Sequence, residues 1–123
     1  MKKNSIAIIG LGYWGTIVTK AVVSMNFFKK IYIYDRDKKK VDIIKKKFQT
    51  KVSYCNLNQI KKDKLIKHVF LATPPKNNFN LLKSLIKFNK NILVEKPGLI
   101  KLDHFKKIKK LTINKKNKLT FGY

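Results

Sequence analysis

The sequence predicts an α/β domain in which a doubly wound parallel sheet of about six strands has helices on both faces. Short apolar runs alternate with segments whose apolar residues recur every three or four positions, which is the pattern of parallel strands joined by helices. A glycine-rich turn directly follows the first apolar run. The chain of 123 residues is long enough for one core and too short for two domains, so residues 1–123 are predicted to form one domain.

Six apolar runs are the predicted strands. In chain order they are SIAIIG (5–10), IYIYD (31–35), KVSYC (51–55), HVFLAT (68–73), NILVE (91–95) and KLTFGY (118–123). Right-handed crossovers between parallel strands predict the order 3-2-1-4-5-6. Ligands of such sheets bind at the carboxyl ends of the strands, and the motifs described below all fall at those ends.

Four segments between the runs have the apolar spacing of helices. The recurring residues are Ile17, Val18, Ala21, Val22 and Met25 in the first, Val41, Ile44 and Phe48 in the second, Leu82, Leu85 and Ile86 in the third, and Leu102, Phe105, Ile108 and Leu111 in the fourth. The segment LNQIKKDKLI (57–66) is too short for a helix to be predicted.

Gly10, Gly12 and Gly15 form the pattern G-x-G-x-x-G between the first predicted strand and its helix. In this context Gly10 permits the tight turn, Gly12 lets a pyrophosphate approach the backbone, and Gly15 allows the helix to pack closely. The free N–H groups at the helix start would then face the phosphates. The pattern by itself is weak, because three glycines can also build a simple turn, so its interpretation depends on a partner further along the chain.

Asp35 is that partner, because it ends the second predicted strand at the place where a carboxylate accepts hydrogen bonds from the adenine ribose. Its charge would repel a 2′-phosphate, which favours NAD as the cofactor. Arg36 and Lys38 are cations of the kind that an NADP site uses, so NADP stays possible. A turn-forming role for Asp35 is the alternative.

Two further motifs end the fourth and fifth predicted strands. In LATPP, two prolines stop the strand and stiffen the loop above the carboxyl edge of the sheet. In LVEKPG, Lys96 stands beside Glu95 and before a proline that restricts it. Lys96 is thereby predicted to lie at the cofactor crevice rather than in free solvent.

The combination GLGYWG, ATPP and VEKP, in this order, resembles the Gfo/Idh/MocA family of NAD(P)-dependent oxidoreductases over the whole chain. The resemblance implies a Rossmann fold and a set of site residues. It implies that Gly10, Gly12 and Gly15 hold the pyrophosphate, Asp35 the ribose, Thr73 and Pro74 the nicotinamide side, that Glu95 has a positioning role, and that Lys96 is catalytic. Tyr13 and Trp14 look like those of members that act on nucleotide-linked or amino sugars, and with Arg36 they complete the expected cofactor-binding set.

The sequence departs from the family pattern in two ways. Members commonly carry a histidine where this chain has Asn78, so we expect a polar cofactor contact there without proton transfer. The chain also stops at LTFGY, where the family's substrate domain begins. We therefore expect residues 1–123 to be the cofactor-binding domain of a longer enzyme, with a homo-oligomer only when the missing domain is present.

The composition is strongly basic, with 30 Lys and Arg against 6 Asp and Glu and a net charge of +24. A basic surface attracts phosphates of any kind, so an electrostatic nucleic-acid binder is one hypothesis. Arg36 is the only arginine, however, and specific recognition favours the bidentate fork of arginine. Lysine runs such as DKKKVDIIKKK are interpreted as solvated helix faces, with no specific nucleic-acid partner.

Other classes of protein are disfavoured. No apolar stretch approaches 18 residues and nothing resembles a signal peptide, which predicts a soluble, cytoplasmic protein without a membrane partner. Cys55 has no cysteine to pair with and is interpreted as a packing residue. No metal-ligand spacing is present. His68, expected before the fourth strand, and His104, on a lysine-rich helix, are not predicted to be catalytic.

The leading hypothesis, implied by the resemblance, is hydride transfer between a nicotinamide cofactor and a sugar, nucleotide-sugar or polyol. Lys96 would stabilise the developing alkoxide. Without the walls of a substrate pocket, the 123-residue chain is expected to be inactive on its own. The alternative is a non-catalytic nucleotide-binding or interaction module.

Overall fold

A computed structural model of the chain describes residues 4–122. The strands are β1 (Ser5–Ile9), β2 (Ile31–Tyr34), β3 (Ser53–Tyr54), β4 (Ile66–Leu71), β5 (Asn91–Val94) and β6 (Leu119–Phe121). The α-helices are α1 (Tyr13–Met25), α2 (Lys38–Phe48), α3 (Leu57–Lys62), α4 (Asn78–Lys87) and α5 (Leu102–Thr112), with 3-10 turns at Gln49–Lys51 and Pro75–Asn77. Tyr123, the last residue of the predicted sixth strand, lies outside the described residues.

The six strands form one parallel sheet in the order β3-β2-β1-β4-β5-β6, which confirms the predicted topology. All five residues of β1, the strand between β2 and β4, are buried. The register aligns Ile9 with Tyr34 and with Leu71, and Leu71 with Val94. Because β1, β2, β4 and β5 end level with one another, the loops that follow them meet at one edge of the sheet.

Helices cover both faces of the sheet, as predicted. Successive side chains of a strand point to opposite faces, and Ile8 and Ile9 accordingly belong to different hydrophobic clusters. The cluster around Ile8 includes Val22 of α1 and Ile44 of α2. The cluster around Ile9 includes Leu82 of α4 and Ile108 of α5, with Ile60 of α3. The two halves of the core thus hold one group of helices on each face.

Local predictions differ from the structure at the third strand, at residues 57–66 and at the fourth strand. The third strand is Ser53–Tyr54, shorter than the predicted 51–55, because Lys51 belongs to a 3-10 turn. The segment at 57–66 does contain a short helix, α3, because Asn56 and Gln59 form a capping box: the Asn56 side chain accepts from Gln59 N at 2.9 Å and the Gln59 side chain accepts from Asn56 N at 3.2 Å. The fourth strand begins at Ile66, so His68 lies within β4 and not before it. The strand extends further because Ile66 N bonds Asp63 O and Ser5 N bonds Leu65 O.

The lysines lie mostly at the surface, but Lys90 is an exception with a side chain only 3% exposed. Its ammonium group donates to the backbone oxygens of Asp63 and Ile66, each at 2.7 Å. Burial lowers the pKa of Lys90. This lysine therefore joins the loop before β4 to the start of β5. Among residues 4–122, no helix has the length and apolar character required to cross a membrane.

Candidate functional site

A cleft of about 800 Å3 lies along the edge of the sheet where β1, β2, β4 and β5 end. It is lined by most of the residues that the sequence predicted for the site: Gly10, Gly12, Tyr13, Trp14, Asp35, Arg36, Thr73, Pro74, Glu95 and Lys96. Gly15 and Asn78 are the two predicted residues that do not line it. The fold thus brings four separate loops of the chain to one cleft.

The glycine turn between β1 and α1 is tightly packed on one side and open on the other. Gly10 has a φ of +98°, a backbone conformation that favours glycine. A Cβ at Gly15 would lie 1.8 Å from the Gly10 carbonyl oxygen, so Gly15 acts by letting α1 approach the turn. A Cβ at Gly12 would have no atom within 4 Å. The open space at Gly12 is room for a ligand in the cleft.

The first turn of α1 borders that open space. Its first backbone hydrogen bond runs from Thr16 N to Gly12 O at 3.0 Å, so the preceding N–H groups lack a partner within the helix. Neither a side-chain cap nor an acidic residue occupies this turn. Unpaired amides and the helix dipole favour an anion at this position. A pyrophosphate therefore fits the turn both sterically and electrostatically.

Two aromatic side chains extend from the same turn. Tyr13 is 76% exposed and Trp14 is 53% exposed, and their rings meet edge to face with centroids 5.3 Å apart. Both residues line the cleft. Exposed aromatic groups at a cleft can supply contact area to a ring-shaped ligand.

The Asp35 carboxylate holds the glycine turn against the end of β2. Oδ2 accepts from Leu11 N at 2.8 Å and Oδ1 accepts from Asp37 N at 2.8 Å. A carboxylate has about four acceptor positions, so ribose hydroxyl groups can still donate to it. Asp35 is thus both a structural clamp and a candidate ribose ligand.

Three cations line the cleft near Asp35, namely Arg36, Lys40 of α2 and Lys61 of α3. Lys38, which the sequence suggested as a cation of an NADP site, is not among the lining residues. Lys40 and Lys61 were not predicted as site residues, because both lie in lysine runs whose members cannot be distinguished without the fold. Other missed lining residues are Leu57, Asn77, Asn80 and Leu81.

Lys96 is held through its backbone and has a free side chain. Glu95 N donates to Leu71 O at 2.8 Å, and Lys96 N donates to the Glu95 carboxylate at 3.1 Å. The Lys96–Pro97 peptide bond is cis. The Phe121 ring covers Gly98 so closely that a Cβ there would lie 2.3 Å from it. The exposed side chain of Lys96 lines the cleft from a backbone that is fixed on both sides.

Asn78 is completely buried, which corrects the expectation of a direct cofactor contact. The Thr73 hydroxyl donates to Asn78 Oδ1, and Asn78 Nδ2 donates to Gly98 O at 2.8 Å. The side chain therefore lies behind Thr73 and links the loop after β4 to the loop after Lys96. Its position at the start of α4, within the core, explains why it does not reach the cleft.

The remaining titratable candidates lie outside the cleft. The His68 ring contacts Phe28 with centroids 5.7 Å apart, and burial, with a smaller effect of the Lys67 charge, lowers the pKa of His68. His104 stacks on Phe79 at 3.8 Å. Cys55 is buried in the core, where desolvation raises its pKa. Within residues 4–122, no cluster of His, Cys, Asp and Glu side chains could hold a metal ion.

Comparison with known proteins gives one family match. The model of the Gfo/Idh/MocA oxidoreductase family, described by its NAD-binding Rossmann fold, matches residues 4–123. An uncharacterized oxidoreductase of Synechocystis sp. is 27% identical over 99 residues, which are 80% of this chain and 27% of that protein.

Two solved structures show the same fold. The scyllo-inositol dehydrogenase of Lactobacillus casei, with bound NAD(H) and scyllo-inositol, has a TM-score of 0.85 at 19% identity, over 98% of this chain and 36% of its own. The biliverdin reductase of Synechocystis sp. PCC 6803, with biliverdin and NADP+, has a TM-score of 0.86 at 16% identity, over 98% of this chain and 38% of its own. The chain thus spans between 27% and 38% of the length of these relatives.

Proposed function

Because this chain belongs to the Gfo/Idh/MocA oxidoreductase family, with its NAD-binding Rossmann fold, we propose that it is the dinucleotide-binding domain of an enzyme acting on CH–OH groups. The substrate class we propose is a sugar, nucleotide-sugar or polyol. The observation that carries this proposal is the single cleft onto which the glycine turn, Asp35 and Lys96 converge. The structural neighbour solved with scyllo-inositol, a polyol, supports the substrate class.

The lining residues fit an extended dinucleotide. Gly10, Gly12 and the first amides of α1 hold the pyrophosphate, since the space at Gly12 is open and the amides are unpaired. Asp35 accepts from the adenine ribose. Thr73 and Pro74 border the nicotinamide end, on the side of the cleft where Lys96 lies. The bound nicotinamide supplies or takes up the hydride.

Lys96 is the proposed catalytic residue. Its ammonium group would donate a hydrogen bond to the substrate oxygen and stabilise the negative charge that develops as the hydroxyl proton passes to a base supplied by the proposed second domain. Glu95 has a positioning role, because its carboxylate accepts from Lys96 N. The fixed backbone sets where the Lys96 side chain begins, while the side chain itself becomes ordered only when it meets the substrate.

We further propose that residues 1–123 act as a cofactor-binding domain whose substrate pocket is completed by a second domain. The matched part is about a third of the length of the solved relatives. Of the residues that line this cleft, Lys96 is the one that we place against the substrate oxygen, and the second domain would supply the walls that hold the substrate carbon against the nicotinamide. Positioning of that kind contributes a large part of the rate of hydride transfer.

The test of cofactor binding is calorimetric titration of the 123-residue chain with NADH. Gly12→Val adds a branched side chain in the open space of the cleft, so binding should fall at least tenfold while the fold is kept. Thr120→Val, on the exposed side of β6, is the control and should bind as the wild type does. Absence of wild-type binding at millimolar NADH would contradict the proposal.

The test of activity follows NADH absorbance with nucleotide sugars, polyols and free sugars, using the chain alone and the chain joined to a family substrate domain. The joined protein should turn over, and Lys96→Ala should lower kcat far more than it weakens NADH binding, because the lysine acts in the transition state. Binding without any turnover in the joined protein would favour the non-catalytic nucleotide-binding module. Turnover by the chain alone at a comparable rate would contradict the two-domain active site.

A further inference from the structure

We propose that Thr73 accepts a hydrogen bond from the carboxamide NH2 group of the nicotinamide, and that Asn78 enforces this by fixing the hydroxyl proton of Thr73. The proposal rests on the proposed function, since it concerns the nicotinamide end of the same cleft. It makes Thr73 a residue that recognises the carboxamide and Asn78 a buried positioning residue. The loop after β4 would thereby distinguish dinucleotides by the group attached to the pyridine ring.

The Gly98 carbonyl can only accept hydrogen bonds. The Asn78 side chain lies 2.8 Å from this oxygen, so the amide nitrogen and not the amide oxygen must face it. The amide oxygen then faces Thr73, and only the hydroxyl proton of Thr73 can bridge the two oxygens. The direction of both hydrogen bonds is therefore determined by one backbone carbonyl.

The burial of Asn78 prevents water from replacing its two hydrogen-bond partners, Thr73 and Gly98. Asn78 has no exposed surface, so water cannot replace either partner without rearrangement of the core. No buried side-chain nitrogen or oxygen within residues 4–122 lacks a hydrogen-bond partner. Reversing the amide would place two carbonyl oxygens against each other and leave the NH2 group facing a hydroxyl, at a cost of the order expected for an unsatisfied buried group. The Thr73 proton is thus committed to Asn78.

A hydroxyl group that already donates its one proton can only accept further hydrogen bonds, through its lone pairs. Thr73 lines the cleft and is partly exposed, so a ligand at this position must present a donor to its oxygen. The nicotinamide carboxamide has one donor group, NH2, and one acceptor, its carbonyl oxygen. The NH2 group is the part that is complementary to Thr73.

The same amide also connects the two loops of the nicotinamide end. Asn78 contacts Gly98, which follows Lys96 and Pro97, while Thr73 belongs to the loop after β4. The group that sets the polarity of Thr73 therefore also fixes the distance between Thr73 and the backbone of Lys96.

The experiment compares NADH with reduced 3-acetylpyridine adenine dinucleotide, in which a methyl group replaces the carboxamide NH2. The wild-type chain should bind NADH about two- to tenfold more tightly, the range expected for one net hydrogen bond. Thr73→Val should bring the ratio of the two dissociation constants close to one. Thr73→Ser should keep the ratio, and so should the control Thr120→Val, which lies outside the cleft.

Asn78→Leu tests the positioning role separately. Without the amide, the Thr73 hydroxyl can rotate and donate to the acetyl oxygen, so the ratio should fall towards one although Thr73 is retained. A purely structural role of Asn78 would weaken both dinucleotides equally and leave the ratio unchanged, which would contradict the proposal for Asn78. Should this buried substitution prevent folding, the Thr73 variants still test the recognition of the carboxamide.

The possible failures can be told apart. Equal binding of both dinucleotides by the wild type would overturn the inference and leave the proposed function intact. A ratio that persists in Thr73→Val would likewise overturn it, since another residue would then recognise the carboxamide. Binding of neither dinucleotide would overturn the proposed function and the inference with it.

Discussion

The Asp35 carboxylate binds two backbone amides, of Leu11 and Asp37, independently of any ligand. Its negative charge lines the same cleft as Arg36, Lys40 and Lys61. The choice between NAD and NADP is therefore a balance between one anion at the ribose position and three nearby cations. The Asp35 carboxylate should have the larger effect on the choice, because two backbone amides hold it in position, whereas long basic side chains at a surface are mobile and their charges are screened by salt.

We predict that the chain binds NADH about tenfold more tightly than NADPH, a difference of about 1.4 kcal/mol. Asp35→Asn should reduce the preference for NADH over NADPH. The substitution removes the charge that repels a 2′-phosphate, and an asparagine side chain has only one oxygen that can accept hydrogen bonds, where aspartate has two. Titration of the wild type and of Asp35→Asn with NADH and with NADPH measures the change in the ratio of the two dissociation constants. Tenfold tighter NADPH binding by the wild type would mean that the cations outweigh Asp35.

Residue by residue, the sequence predicts which side chains reach the cleft where a motif directly follows a strand. Gly10, Asp35 and Lys96 could be located because each follows a strand in a recognisable context. Asn78 was expected in the cleft because its sequence position suggested a contact, but its burial depends on how α4 packs. Lys40 and Lys61 could not be selected from their lysine runs, since neighbours in the sequence are chemically identical to them.

Among the elements, α1 packs against the glycine turn so closely that no Cβ fits between them at Gly15. Gly15→Ala would place a Cβ 1.8 Å from the Gly10 oxygen. Helix propensity alone would make this substitution stabilising by about 1 kcal/mol, so a loss of stability would isolate the effect of the contact. We predict a decrease in the free energy of unfolding of about 1–3 kcal/mol.

Gly12→Ala is the matched control in urea unfolding, because its Cβ would meet no atom within 4 Å and its φ of −75° suits alanine. The free energy of unfolding should change by less than about 1 kcal/mol. If Gly15→Ala proved as stable as the wild type, α1 would have to sit further from the turn than the structure indicates.

The position of His68 inside β4 gives a pH dependence. Burial is the main cause that lowers the pKa of His68 below its ordinary value of 6.5, so the fold favours the neutral ring. The corresponding stability is fully present above pH 6.5 and is lost as the pH falls through the lower pKa of the folded state. The free energy of unfolding should therefore decrease between pH 7.5 and about pH 5, and His68→Leu should reduce that decrease. If the free energy of unfolding decreased by the same amount in His68→Leu, other titratable groups would be the cause of the decrease.

Most elements could be predicted because their apolar periodicity is strong, while the difference at α3 has a local cause and the difference at the start of β4 has a long-range one. The short α3 has few apolar residues, and its capping box of Asn56 and Gln59 is the signal that could have identified it. The extra residues at the start of β4 follow from pairing with β1, which is a contact between distant parts of the chain.

The whole molecule has a net charge of +24, and its cleft is suited to a phosphate-containing ligand. We predict weak association with any polyanion that falls steeply with salt and does not depend on base sequence. Binding of unrelated DNA duplexes at two salt concentrations measures both properties. A strong preference for one sequence at physiological salt would instead support a nucleic-acid-binding function.

The strand order also determines how the chain must assemble as it is synthesised. β1 emerges first, but β4, its neighbour on one side, is completed only after α1 to α3 and β2 and β3 have been made. During that interval one edge of a strand that is wholly buried in the folded protein, and apolar from Ile6 to Ile9, has no partner within its own chain. Unpaired apolar edges promote association between partly folded molecules. We therefore expect the yield of native protein to depend on how quickly β4 reaches β1, and to decrease when many chains fold at high concentration.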